Sequence, residues 1–252
     1  MPAPLAITLH ASAAEVAGGT GAAVDLWGED DVETRSVVEG TLTVTAITGT
    51  GAILNVALDT SADGTSWRPV DNLQAMQAAG VQTFAAGDFG RYVRARWTLT
   101  AGAEVTFAVT GTALETFCTL AELLELGAAG TAIGALPKAT RIRHLTAATQ
   151  VARGYLSRRF VEPFLRVGRD VAQAVAKIAS LSLLTDVHGI NPHTEATALA
   201  VQAAEGRERW LRDVSRGIAG ADVTDSTPET SEGSGAVVVT GTSRGWGSMT
   251  VL

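Results

Sequence analysis

The residues of this chain that have the capacity for nucleophilic, metal or phosphate chemistry are scattered rather than clustered. Cys118 is the single cysteine. It sits where a helix should start, a place whose dipole lowers a thiol pKa, but no signature of a cysteine enzyme surrounds it, and a buried bystander is the expectation. No serine stands in a Gly-x-Ser-x-Gly elbow. His188 and His193 flank a helix-breaking turn, His188-Gly189-Ile190-Asn191-Pro192-His193, with no cysteine or acidic partner at zinc-ligand spacing. The acidic run Glu29-Asp30-Asp31-Val32-Glu33 lacks the alternating carboxylates and glycine of a calcium loop and reads as a solvated loop. Gly18-Gly19-Thr20-Gly21 and the glycines from Gly241 to Gly247 carry no Gly-Lys-Ser/Thr and join no strand to a helix. The expectation is a chain that is not an enzyme and has no catalytic residues, cofactor or metal.

Two other residue sets suit recognition rather than catalysis. Trp67 follows an Asp63-Gly64 hairpin tip; exposed, it could stack on a sugar, but packing into the core is the favoured reading. An exposed Trp67 or Trp97 in a groove would point to carbohydrate or surface binding. The second set is arginine. Only Lys138 and Lys177 are lysines, so the positive charge is mostly planar guanidinium, suited to carboxylates at protein interfaces. Arg153, Arg158 and Arg159 on one expected helix, and Arg207, Arg209, Arg212 and Arg216 on another, could face DNA in a channel or acidic patches on a neighbouring subunit. Glu205, Glu208 and Asp213 lie among the second group and would repel phosphates, which favours protein contacts there.

The elements that must position these residues change character near residue 115. Residues 1–115 hold 5 Lys+Arg against 13 Asp+Glu, net −8; residues 116–220 hold 13 against 9, net +4; the remainder holds 1 against 4, net −3. Two modules of opposite sign suggest two different neighbours. The first module reads as short strands with glycine turns, an antiparallel β-sandwich. Thr41 to Ile47 and Ile53 to Leu58 alternate about Gly49-Thr50-Gly51 as a hairpin, with further strands at Val81 to Ala85, Tyr92 to Leu99 and Val105 to Thr112.

The second module, 116–220, reads as a small α-helical bundle of one short and three long helices. Thr119 and Glu122 have capping-box spacing, and that helix should end at Gly127. A long amphipathic helix follows Pro137, with Ile142, Leu145, Ala148, Ala152, Tyr155 and Leu156 inward and Arg141, Arg143, Arg153 and Arg158 largely off that stripe. A third runs from about Arg169 to Val187, and a fourth from about Thr194 to Ile218. Residues 221–252 form an extended C-terminal tail, a polar linker leading to the β-prone Ala236-Val237-Val238-Val239-Thr240 and to Trp246. An apolar strand on a tether suits strand addition to a partner's sheet.

At 252 residues the chain can bury two modest cores. No apolar run is long enough to span a bilayer, so no membrane is expected as a partner. The absence of a leader-like apolar segment at Met1-Pro2-Ala3-Pro4, with one unpaired cysteine, predicts assembly in a reducing cytoplasm. A formal charge of −7 argues against a nucleic-acid coat.

Phe117-Cys118-Thr119-Leu120-Ala121-Glu122-Leu123-Leu124, then Ala152 to Phe164 with its Gly154-Tyr155-Leu156-Ser157-Arg158-Arg159-Phe160-Val161-Glu162-Pro163, then Trp210-Leu211-Arg212-Asp213-Val214-Ser215-Arg216-Gly217, resemble the head-tail connector, or adaptor, proteins of tailed phages, especially the Mu-like type. The resemblance covers about residues 116–220 and departs from the minimal members in the β module ahead of it, which is similar to sandwich domains added to phage virion proteins. It implies a virion protein of the neck: a homo-oligomeric ring between the portal protein and a tail-side stopper or terminator, close to packaged DNA. Its C-terminal extension, Ala236 to Thr240 with Trp246, would dock on the portal, and the seven arginines named above would lie at subunit contacts or along the channel. The β module would sit outside the ring, in reach of the capsid. The alternative is a surface- or carbohydrate-binding sandwich that the helices merely oligomerise.

Overall fold

A computed structural model describes residues 5–27, 35–187 and 195–227. The chain is an antiparallel β region followed by five helices, with two short strands closing the second part. In the β region one sheet holds β1 (Leu5–Glu15), β4 (Arg35–Thr48), β7 (Gly80–Phe89) and β9 (Glu104–Thr116) in the order β1-β9-β4-β7. The other holds β2 (Gly19–Thr20), β3 (Val24–Asp25), β5 (Leu54–Ser61), β6 (Arg68–Asn72) and β8 (Tyr92–Leu99), in the order β2-β8-β5-β6 with β3 also on β8. Alternation decides which side chains meet between them: Leu42 and Val44 of β4, Val105, Phe107 and Val109 of β9, Leu54, Val56 and Leu58 of β5, and Val93, Ala95 and Trp97 of β8 share one core. Thr41, Thr43 and Thr110 take the opposite positions of the pleat.

The hairpin expected at Gly49-Thr50-Gly51 is not one. β4 pairs with β7 along one edge and β9 along the other, while β5 pairs with β6 and β8. Both edges of β4 are therefore taken, and the turn carries the chain from one sheet to the other. Gly49 has φ 110°, and a Cβ there would lie 2.9 Å from the Gly102 carbonyl oxygen, so this crossing favours glycine. The Asp63-Gly64 turn does join a hairpin, β5 to β6.

The helices are α1 (Leu120–Leu126), α2 (Gly130–Gly134), α3 (Lys138–Leu156), α4 (Arg169–Asp186) and α5 (Glu195–Ser215). The short α2 occupies what reads in sequence as a loop. The apolar stripe of α3 is buried at Ile142, Leu145, Ala148, Ala152 and Leu156, with Tyr155 half-buried. α4 is the most enclosed, burying Val171, Val175, Ala179 and Leu183 among others. The residues expected to end α4, from Gly189 to Pro192, lie outside the described residues.

Past α5 the chain does not leave at Gly220. β11 (Val223–Asp225) pairs antiparallel with β10 (Phe164–Val167), and the Asp225 carboxylate accepts a hydrogen bond from the Val161 N–H at 2.9 Å. Val223 packs against the helical core, so the second part continues at least through β11.

The two parts are joined without a linker, since β9 ends at Thr116 and α1 begins at Leu120. Val37, Ala85 and Leu114, on the sheet face turned away from the β core, pack into the helical core instead. Lys138 Nζ donates to Asp71 Oδ2 at 2.8 Å across the same joint. Part of the charge contrast between the halves is thus spent inside the molecule.

Candidate assembly surface

The three segments that carry the resemblance contribute to one hydrophobic core. Phe117 is buried, its ring 5.9 Å from that of Phe164, and its N–H donates to the Thr149 hydroxyl at 3.3 Å. Two residues on, Thr119 caps α1 as its spacing predicts: the Glu122 N–H donates to Thr119 Oγ1 at 3.0 Å and the Thr119 N–H donates to Glu122 Oε2 at 2.8 Å. Leu211 and Val214, from the third segment, lie in the same core. Arg159 ties that segment down by donating to the Ala219 carbonyl at 2.7 Å and the Val214 carbonyl at 3.4 Å.

The sequence expectation treats the seven arginines as contact residues, and the structure divides them. Arg153 lies within the molecule, only 6% exposed, where it pairs with Glu115 at the end of β9 and sits 5.3 Å over the Phe117 ring. Burial pushes the Glu115 carboxyl up from its ordinary pKa, opposed by the Arg153 charge and hydrogen bond. Arg153 is thus engaged within the molecule, in an ion pair that joins α3 to the end of β9. Arg207 donates to Gln173 on α4, and Arg159 is used as described.

Arg158, Arg209, Arg212 and Arg216 are exposed. Two of them are linked by a chain across α3 and α5: Arg158 lies 5.8 Å over Tyr155, Tyr155 Oη donates to Glu208 at 3.0 Å, and Glu208 pairs with Arg212 at 3.6 Å. Arg209 and Arg216 have no ion-pair partner among the described residues. Exposed arginines interleaved with Glu205, Glu208 and Asp213 therefore line the last turns of α5, where positive charge also complements the helix dipole.

The remaining candidates find quieter places. Cys118 is buried, and its thiol donates to the Thr119 carbonyl. Trp97 is 5% exposed and its indole N–H donates to the Ala17 carbonyl at 3.2 Å. Trp67 does not return to the core as expected; it stays half-buried with the Arg94 guanidinium 4.1 Å over its ring. Gly21 lies so near β1 that a Cβ would meet the Leu9 carbonyl oxygen, a packing role and no phosphate cradle. His188 and His193, the acidic run from Glu29 to Glu33, and the tail residues Ala236, Val237, Val238, Val239, Thr240 and Trp246 lie outside the described residues.

One constellation is invisible in the sequence. His144 Nδ1 lies 2.8 Å from Ser182 Oγ, and that hydroxyl donates to Asp186 Oδ2 at 3.0 Å. The residue types are those of a hydrolytic triad, but the order is not. A triad imidazole uses one nitrogen for the serine and the other for the carboxylate. Here the serine stands between the two, and His144 Nε2 is buried with no hydrogen-bond partner. The group works as a tie between α3 and α4. Among the described residues no cluster of three or more metal-ligating side chains occurs, and no helix is long and apolar enough to cross a membrane. The chain matches no protein-family model and no curated protein.

Proposed function

We propose that this chain is a structural virion protein of the phage neck: a non-enzymatic head-tail adaptor that assembles as a ring between the portal and the tail-side stopper or terminator. In this reading residues 1–115 are an accessory β-sandwich on the outside of the ring, within reach of the capsid. The helices, with the β10–β11 pair, form the ring-building bundle beside the DNA channel, and the tail docks on the portal through Ala236 to Thr240 and Trp246. The observation that carries the reading is the convergence of the three resembling segments on Phe117, Phe164, Leu211 and Val214. Segments nearly a hundred residues apart resemble one family and also build one core. The exposed arginines of α5 support it by offering the bundle charged contacts for acidic neighbouring subunits.

The alternative, a carbohydrate- or surface-binding sandwich, asks for an open aromatic platform. Trp97 is buried and the face of Trp67 is covered by Arg94, so neither tryptophan favours it. The test is co-purification of the full chain with the portal protein of the same virion, in parallel with binding to arrays of polysaccharides. Portal capture supports the adaptor; glycan binding without portal capture replaces it with the sandwich module.

A further inference from the structure

β5 is buried on both of its faces, although only one of them meets the β core. Leu54, Val56 and Leu58 point into that core, while Ala57, Asp59 and Ser61 alternate with them and are 6%, 3% and 3% exposed. The outward positions of β8 stand beside this second row: Tyr92, Arg94 and Arg96 lie opposite Ser61, Asp59 and Ala57. Arg96 donates to both oxygens of Asp59, at 2.9 and 3.2 Å. Arg94 lies 3.6 Å from the same carboxylate, with its guanidinium 4.1 Å over the Trp67 ring across β5. Two guanidiniums thus share one buried carboxylate, and one positive charge is left over. Arg94 carries it. None of its five donors makes a hydrogen bond among the described residues; its Nε is buried, and its terminal nitrogens reach solvent. The neighbouring charges are already engaged: Arg91 is matched by Asp25 at 2.8 Å, and Asp63 at the hairpin tip accepts from Ser61, Thr65 and Ser66. Arg68, exposed beside Trp67, donates only to the Asp88 carbonyl and adds to the positive side.

We propose that Arg94, held flat on Trp67, is a docking point for a carboxylate side chain of a protein partner. A guanidinium takes a carboxylate in a planar fork, and one already stacked on an aromatic ring has less freedom to lose on binding. The chemistry favours a protein over the other carriers of negative charge. Arginine, tryptophan and tyrosine dominate protein contacts, and residues 1–115 hold five arginines and no lysine. A nucleic acid would bring a run of phosphates against a part of the chain whose net charge is −8. A sugar would need the tryptophan face that Arg94 occupies. The inference gives the β part a contact of its own and does not depend on the ring.

The experiment is an NMR titration of the full chain that follows the Trp67 indole N–H. The probes are a short capped peptide holding two glutamates, the same peptide with glutamines, digalacturonic acid, and a thymidine dinucleotide. The glutamate peptide should shift the signal saturably and the glutamine peptide should not. Arg94→Met leaves the Asp59–Arg96 pair in place and is expected to fold, with binding weakened about tenfold. Arg209→Met, on α5, should leave the binding unchanged. No shift with the glutamate peptide, a shift that persists in Arg94→Met, or one that the glutamine peptide reproduces would overturn the site. Tighter binding of the digalacturonate or the dinucleotide would overturn the protein partner.

Discussion

Arg153 carries the clearest consequence at the scale of single residues. Its partner Glu115 is a buried carboxyl whose pKa burial raises and the Arg153 charge opposes, so Arg153→Met leaves a buried polar group without its hydrogen-bonded partner. The expected loss is about 3–5 kcal/mol in urea unfolding, and the double variant with Glu115→Gln should recover part of it. His144 gives a pH signature. Burial lowers its pKa, with the Asp186 charge opposing and the Arg143 charge assisting; His10, buried against Trp97 and Phe107 and facing Glu15, is lowered in the same way. A group whose folded pKa lies below its unfolded value takes up fewer protons when folded. The stability tied to its neutral form is therefore complete above about pH 6.5 and falls as pH drops through that value toward the folded pKa. The melting temperature should decline from pH 7.5 to pH 5.5, and His144→Gln should flatten the decline; an unchanged slope would remove His144 from the account. Neither Glu115–Arg153 nor His144–Ser182 was legible in the sequence. Both pairs are separated by 38 positions, and residue type alone places an arginine in solvent.

Elements were read more faithfully where local chemistry determines them. The Thr119 cap is set by residues three apart, and Thr119→Ala should cost about 1 kcal/mol, measured by chemical denaturation. The sheet adds a cap of its own: Asp88, at φ 66°, accepts the Leu120 N–H at 2.8 Å, so the β region holds the first turn of α1. The long helices follow from three- and four-residue apolar spacing. Strand pairing does not follow from alternation in the same way. The pattern around Gly49 to Gly51 is that of a hairpin, and only the long-range engagement of both edges of β4 rules it out. β11 was missed for a related reason: three residues in a polar stretch become a strand because Phe164–Val167 offers an edge. A chain ending at Gly220 should lose this pairing and melt lower and more broadly, whereas one ending at Thr227 should unfold like the full chain; identical melting curves would contradict the assignment of β11 to the bundle.

At the scale of the whole molecule the change of composition near residue 115 coincides with the switch from strands to helices, and the charge contrast across it was legible at once. The sequence could not show that the boundary is a buried joint, with Val37 and Leu114 of the sheet inside the helical core and Asp71 and Glu115 answered by Lys138 and Arg153. A β part fixed in this way would project from each subunit at a set angle, which suits an accessory domain on a ring better than a tethered binding module. The most direct test is single-particle electron microscopy of the full chain mixed with the portal protein of the same virion, beside the chain ending at Thr227. The adaptor account predicts closed rings stacked on the portal with the β parts radiating outward, and rings that no longer stack once the tail is removed. A chain that remains monomeric and leaves the portal bare would contradict it.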